Sequence, residues 1–362
     1  MAPMRVARLV LASACLLAAA ALLAACGGDS SSSEETGGAA ASAKSRPAPP
    51  PAEFPAAAGR TLEEVVKFGD KPSELKLEPG AKVFYSGANR YPFGVFERSG
   101  AEVTDAEVAL YMSRVPTPMP GDRSKPGNKG PVATAEKRAL KQPAIGPFPA
   151  KIESLATDPA FRSESTADDD PEAATVIYST ELDFPLDGTW RIAALVKEDG
   201  ELGGKLLPAV VVGEFKAIPR VGEAAPRIHT PTAADADGDL SRITTRVPPD
   251  SQNKVDYADV LGKEPIVLLF ATPKFCQSRV CGPVVDQTEQ AKRKYGDKAA
   301  FIHMEIYDQD DPGDEVLPQV RAFHLPSELW LFTIDRKGVI SDTIEGAFGA
   351  ELLDQAIEKA IR

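Results

Sequence analysis

Two cysteines, Cys276 and Cys281, stand four residues apart in the stretch FATPKFCQSRVCGPVVD, from Phe270 to Asp286, directly after an apolar run. A pair of this kind can exchange a disulfide, hold a metal ion or staple a loop. The chain holds four cysteines, the others being Cys15 and Cys26. A disulfide closing so short a loop adds little stability, because the entropic gain grows with loop length. A reversible dithiol is therefore a stronger reading than a structural staple. On a regular helix, residues five apart point about 140° away from each other. The two sulfurs can bond only if the helix unwinds locally or starts late.

The elements around the pair follow from the pattern of apolar residues. PIVLLFAT, from Pro265, is a continuous apolar run, as expected of a strand buried on both faces. Val284, Thr288, Ala291 and Tyr295 then recur at helical spacing up to Gly296. AAFIHMEIY reads as a second buried strand and ELWLFTI as a third, with VISDTIEG after the DRKG turn as a fourth. Between them DEVLPQVRAF reads as a short helix or turn, and AELLDQAIEKAI closes the chain as an amphipathic helix.

This β-α-β-α-β-β-α order, with the cysteines after the first strand, resembles the thioredoxin/redoxin superfamily from about Val221 to Arg362. The resemblance implies an α/β thioredoxin-like C-terminal domain and thiol–disulfide oxidoreductase activity without a metal or organic cofactor. It makes Cys276 the nucleophile at a helix N-terminus, where free N–H groups and the helix dipole stabilise a thiolate. It makes Cys281, deeper in the helix, the resolving thiol. Pro326 in HLPSELWLF matches the superfamily's cis-proline, so the Leu325–Pro326 bond is expected to be cis and to lie beside Cys276.

The spacing departs from the superfamily, whose oxidoreductases carry two residues between the cysteines. Four-residue spacing resembles the Q-type peroxiredoxins, which makes a thiol peroxidase the first alternative. Their motif P-x-x-x-T-x-x-C is not met, because Thr272 stands four before Cys276 and Leu269 fills the position of the motif proline. Arg279 is a cation that could face the sulfur. A Sco-like copper-binding protein is the second alternative, with His324 or His303 beside the thiolates.

Upstream, from about Lys82 to Phe215, short runs rich in Val, Ile, Tyr and Phe are separated by turns rich in Gly, Pro and Asp. They predict an all-β sandwich, which we expect to be immunoglobulin-like. Trp190, Ile192 and Ala194 alternate as on a half-buried strand. Pro116 to Pro149 reads as a long loop. Ala217 to Asp250 is a Pro-rich connector, which predicts two domains with few contacts between them. Within it, DADGDL lacks a glycine and a distal acidic residue at EF-hand spacing and reads as a solvated acidic loop.

Arg5 and Arg8, the apolar run Leu9 to Leu23 and the closing LLAAC form an export signal. Its end resembles the lipobox of bacterial lipoproteins, which implies cleavage before Cys26 and lipidation of that thiol. The Gly/Ser/Ala/Pro-rich stretch beyond it is a tether. The expected layout is a lipoprotein signal peptide at 1–25, a tether at 26–60, a β-sandwich at 61–216, a connector at 217–250 and a thioredoxin-like domain at 251–362. Such a chain sits on the extracytoplasmic face of the cell membrane and meets protein thiols or disulfides there. Loss of Arg5 and Arg8 takes the net charge from −12 to −14, which disfavours nucleic acid as a partner.

Overall fold

A computed structural model describes residues 44–362, apart from 70, 118–134, 136, 165–172, 199, 277 and 309–314. The stretch expected to be a signal peptide, Cys26 and most of the stretch expected to be a tether lie outside the described residues, as does part of the loop expected between Pro116 and Pro149. No helix of the described residues is long and apolar enough to cross a membrane.

Residues 71–212 form two sheets packed face to face. One runs β2 (Lys76–Pro79), β3 (Gly87–Phe96), β7 (Val176–Phe184), β6 (Lys151–Ser154). The other runs β1 (Lys71–Pro72), β9 (Glu201–Leu206), β8 (Gly188–Glu198), β4 (Glu107–Arg114), β5 (Ile145–Pro149), with β10 (Val210–Val212) also paired to β8. All these pairings are antiparallel except β1 with β9. Tyr91, Phe93 and Tyr178 from the first sheet meet Leu110, Met112, Trp190 and Ile192 from the second in one core. Phe184 and Trp190 hold their ring centroids 5.7 Å apart across it.

Strand β8 is buried on both faces rather than one. Trp190, Ile192 and Ala194 enter the inter-sheet core, while Ala193 and Leu195 are covered by Phe54, Leu62 and Val65. Leu62 and Val65 lie on helix α1 (Leu62–Val66), which opens with a capping box between Thr61 and Glu64. The expected boundary at residue 60 is corrected, because Phe54 and Ala57 are apolar anchors that pack into this layer.

The C-terminal sheet runs β12 (Ala300–Met304), β11 (Ile266–Phe270), β13 (Trp330–Ile334), β14 (Ile340–Glu345). Strands β11 and β12 are parallel, and the other two pairings are antiparallel. This order, with helices on both faces, is the thioredoxin arrangement. All five residues of β11 are buried. On one face Val267, Leu269 and Leu331 meet α3 (Cys281–Tyr295) and α5 (Ala350–Ile361). On the other, Leu268, Phe270 and Phe332 meet α2 (Tyr257–Val260), α4 (Pro318–Ala322) and Phe323. Burying each such side chain contributes roughly 1.5–3 kcal/mol, which is why an unbroken apolar run was required here.

The two halves share more than the connector predicted. Leu155, Ala174 and Ile177 of the sandwich complete the core under α3 and α5. Arg90 Nη2 donates to Glu153 Oε1 at 3.0 Å and to the Ala347 carbonyl at 2.7 Å. The Glu345 carboxylate, at the end of β14, accepts the backbone N–H groups of Lys82 and Val83, each at 2.9 Å. Burial pushes that carboxyl above its usual range, against the pull of Ser327 and these two N–H donors. The connector itself is inserted: Thr244, Arg246 and Asp250 are buried. Arg246 Nε donates to Asp286 Oδ1 on α3 at 2.7 Å, and Nη2 donates to the Phe161 carbonyl of the sandwich at 2.6 Å.

The DADGDL loop uses its carboxylates locally. Asp235 accepts from Thr232, Asp237 pairs with Arg242, and Asp239 accepts from Ser241. That agrees with the solvated acidic loop read from the sequence.

Candidate functional site

Beyond β11 the chain leaves the sheet at Ala271 and makes a loop before α3. Cys276 lies on this loop and Cys281 is the first residue of α3. The sequence placed Cys276 at the helix start, and the structure corrects this by five residues. Val280 occupies the cap position and provides no side-chain cap. The cysteines are joined as a disulfide with their Cα atoms 6.0 Å apart. Of the two routes left open by the spacing, the structure takes the late-starting helix.

The two sulfurs differ in environment. Cys281 is fully buried among Val284, Val285 and Leu269, whereas Cys276 is half-buried. The positive end of the α3 dipole lies at Cys281 rather than at Cys276. Access thus marks Cys276 as the sulfur that an incoming group reaches first, though the helix-end argument for it does not hold. The Ser278 hydroxyl lies 3.3 Å from Cys276 Sγ. Arg279 adopts a left-handed φ of 58° and is exposed, and its carbonyl accepts the N–H of Ala174 from the sandwich.

Across from the pair runs the segment from His324 to Leu329. The cis bonds of the described residues are Gly146–Pro147 and Val247–Pro248, so the expected cis bond at Leu325–Pro326 is not present. The turn into β13 is built instead with left-handed backbone at His324, φ 55°, and Leu329, φ 68°. Non-glycine residues are seldom held so, and such strain gathers at functional sites. Pro326 still faces the site region, since it lines a cavity of about 400 Å³ together with Ser278, Tyr307 and Glu328. The other wall of that cavity is Pro79 to Lys82 of the sandwich.

Glu328 was not singled out in the sequence. Its carboxylate and the two sulfurs lie within 4.8 Å of one another. The Tyr307 hydroxyl donates to Glu328 Oε1 at 2.8 Å. Neither His324 nor His303 joins this group among the described residues, so the ligand set expected of a Sco-like copper site is not assembled. The one signal in the sequence was the position of Glu328, two residues after the proline already marked.

Behind the loop stands a buried polar cluster. His303 on β12 is fully buried, with Nδ1 2.8 Å from Asp250 Oδ2 and Nε2 3.2 Å from the Ala271 carbonyl. Burial disfavours the imidazolium, but Asp250 and Glu305 outweigh it and raise His303 to about 9. Burial would likewise raise Asp250, and the His303 charge and hydrogen bond hold it below the usual carboxylate range. The pair is thus an imidazolium–carboxylate pair that braces Ala271 at the root of the cysteine loop.

A histidine raised from 6.5 to about 9 contributes stability that is fully present below pH 6.5. That contribution is lost as pH rises through about 9, whereas the lowered Asp250 acts only on the acid side. Urea unfolding of the full chain between pH 7 and 10 should show this alkaline loss, and His303→Gln should flatten it. An identical alkaline slope in both proteins would remove the imidazolium from the account.

No protein-family model matches the sequence, and no curated protein matches it. Among solved structures, a thiol:disulfide interchange protein of the thioredoxin family from Chlorobium tepidum aligns at 18 % identity and TM-score 0.28. The alignment covers 40 % of this chain and 100 % of that one. A thio-disulfide isomerase from Thermus thermophilus aligns at 19 % identity and TM-score 0.27, covering 40 % and 99 %. The thioredoxin-like arrangement is shown by the strand order β12-β11-β13-β14 itself.

Proposed function

We propose that the protein is a membrane-anchored, extracytoplasmic thiol–disulfide oxidoreductase working through Cys276 and Cys281. The observation that carries this reading is the asymmetry of the disulfide, which joins a half-buried loop sulfur to a fully buried one. In the reducing direction the Cys276 thiolate attacks a substrate disulfide. A mixed disulfide forms as the substrate S–S bond breaks, and the departing sulfur leaves as a thiolate and takes a proton from solvent. Cys281 then loses its proton and attacks Cys276 Sγ. The second substrate sulfur is expelled and takes up that proton. Two electrons have passed to the substrate, and the protein is left as the disulfide. Run backwards, the same steps oxidise a dithiol.

In this reading the substrate chain lies in the cavity that Pro326 lines with Ser278, whose hydroxyl is 3.3 Å from Cys276 Sγ. The sandwich, which we read as immunoglobulin-like from its two packed, largely antiparallel sheets, supplies the opposite wall through Pro79 to Lys82. Anchoring rests on the signal-like N-terminus and lipidation of Cys26, and the partners are protein thiols or disulfides outside the cytoplasm.

The test is a stoichiometric exchange assay. Reduced full chain mixed with a peptide disulfide should release two peptide thiols for each pair of protein thiols lost. No exchange would overturn the reading. Consumption of hydrogen peroxide in preference to the disulfide would move the assignment to a thiol peroxidase.

A further inference from the structure

We infer that the reduced pair, together with Glu328, forms a redox-gated site for a zinc-class divalent cation. Two thiolates and one carboxylate are the donors, and they converge from two separate parts of the fold. Cys276 and Cys281 come from the loop and helix after β11, and Glu328 comes from the turn before β13. Their ligand atoms already lie within 4.8 Å of one another. Tetrahedral zinc with Zn–S bonds of about 2.3 Å needs its two sulfurs about 3.8 Å apart. Once the S–S bond is reduced, that separation fits the Cα–Cα distance of 6.0 Å. Cys276 can supply the motion, since it sits outside the helix.

The surroundings fit a ligand carboxylate. Tyr307 donates to Glu328 Oε1 at 2.8 Å, which fixes the side chain. Such outer hydrogen bonds orient metal ligands. Three protein donors leave a fourth position, open to the cavity that Ser278 and Pro326 line. Copper(I) is the poorer fit, because a soft ion gains little from a hard carboxylate and the histidines lie outside the group.

The chemistry balances simply. An external thiol or phosphine gives two electrons to the disulfide, and two protons complete the thiols. Zn²⁺ then displaces both thiol protons to solvent and binds the carboxylate, leaving a net charge of −1 on the ion and its three protein donors. While it is bound neither sulfur is free to attack, so the cation holds the pair reduced and silent. The site depends on the pair being reducible, as in the proposed function, but not on any exchange activity.

The experiment is zinc titration of the full chain against a chromophoric chelator, after phosphine reduction, with X-ray absorption of the loaded protein. We expect one zinc per reduced chain, none on the disulfide form, and two sulfur neighbours with oxygen completing the shell. Glu328→Gln should weaken binding by more than the roughly 10- to 100-fold typical of an outer-shell change. Tyr307→Phe should weaken it by about tenfold. Equal binding by native and Glu328→Gln protein, or by reduced and oxidised protein, would overturn the site. The exchange assay, run with excess chelator, is unaffected by either outcome and so tests the proposed function separately.

Discussion

Cys281→Ser protein should accumulate as a mixed disulfide on Cys276 when offered a peptide disulfide, while Cys276→Ser protein should turn over no faster than the uncatalysed exchange. The expectation follows from access. An incoming sulfur reaches the half-buried Cys276, and Cys281 lies fully enclosed beneath it. With Cys281 absent, the first displacement proceeds and the second has no nucleophile. A serine at this apolar position buries a hydroxyl, which costs about 1–3 kcal/mol where it finds no partner. Cys281→Ala should therefore be measured alongside. Intact mass before and after reduction reads the adduct directly. An adduct on Cys281 in the Cys276→Ser variant, and none on Cys276 in the other two, would reverse the roles.

The second large effect lies away from the sulfurs. Arg246→Met should destabilise the chain by roughly 3–5 kcal/mol, the cost of leaving a buried charge unpaired. Arg246 is 4 % exposed at its side chain and Asp286 is 0 % exposed, so the pair is shut off from bulk water. Arg246 also donates to the carbonyls of Pro248 and Phe161, each at 2.6 Å, and Asp286 accepts from Ser163 N and Oγ. One ion pair therefore ties the connector, the sandwich and the cysteine-bearing helix together. The double variant Arg246→Met/Asp286→Leu should recover much of the loss, because it removes both charges. Chemical denaturation of the two variants against native protein makes the measurement. A single variant within about 0.5 kcal/mol of native, the range of an ordinary surface change, would show the pair to be dispensable.

What the sequence disclosed and what it withheld divide along physical lines. Strand β11 was readable because IVLLF is apolar throughout and only a doubly covered strand buries such a run. Helix α3 was readable from Val284, Thr288, Ala291 and Tyr295, all buried on one stripe. Its start was misplaced because Val280 at the cap carries no hydrogen-bonding side chain to announce it. The cis bond expected at Pro326 came from the superfamily resemblance, while the chain turns there through left-handed His324 and Leu329. The seam was not readable. Glu345 meets Lys82 across 263 residues, and Arg246 meets Asp286 across 40, through single polar side chains that follow no period. Glu328 was missed for the same reason: apart from its place two residues after Pro326, nothing in SEL distinguishes a carboxylate aimed at the sulfurs from a solvated one. The double burial of β8 likewise depended on Phe54, in a stretch whose composition reads as tether.

The redox behaviour of Cys276 and Cys281 decides whether the pair is an exchangeable centre or a staple. The decisive measurement is equilibration of the full chain, with chelator present, in thiol–disulfide buffers of graded potential, followed by acid quench, alkylation and mass counting of the two residues. We predict a single two-electron transition, both cysteines changing together, at a potential above about −300 mV, so that cellular thiol pools can exchange with the pair. A transition below about −300 mV, the range of structural disulfides, would contradict the account and return Cys276–Cys281 to the role of a staple.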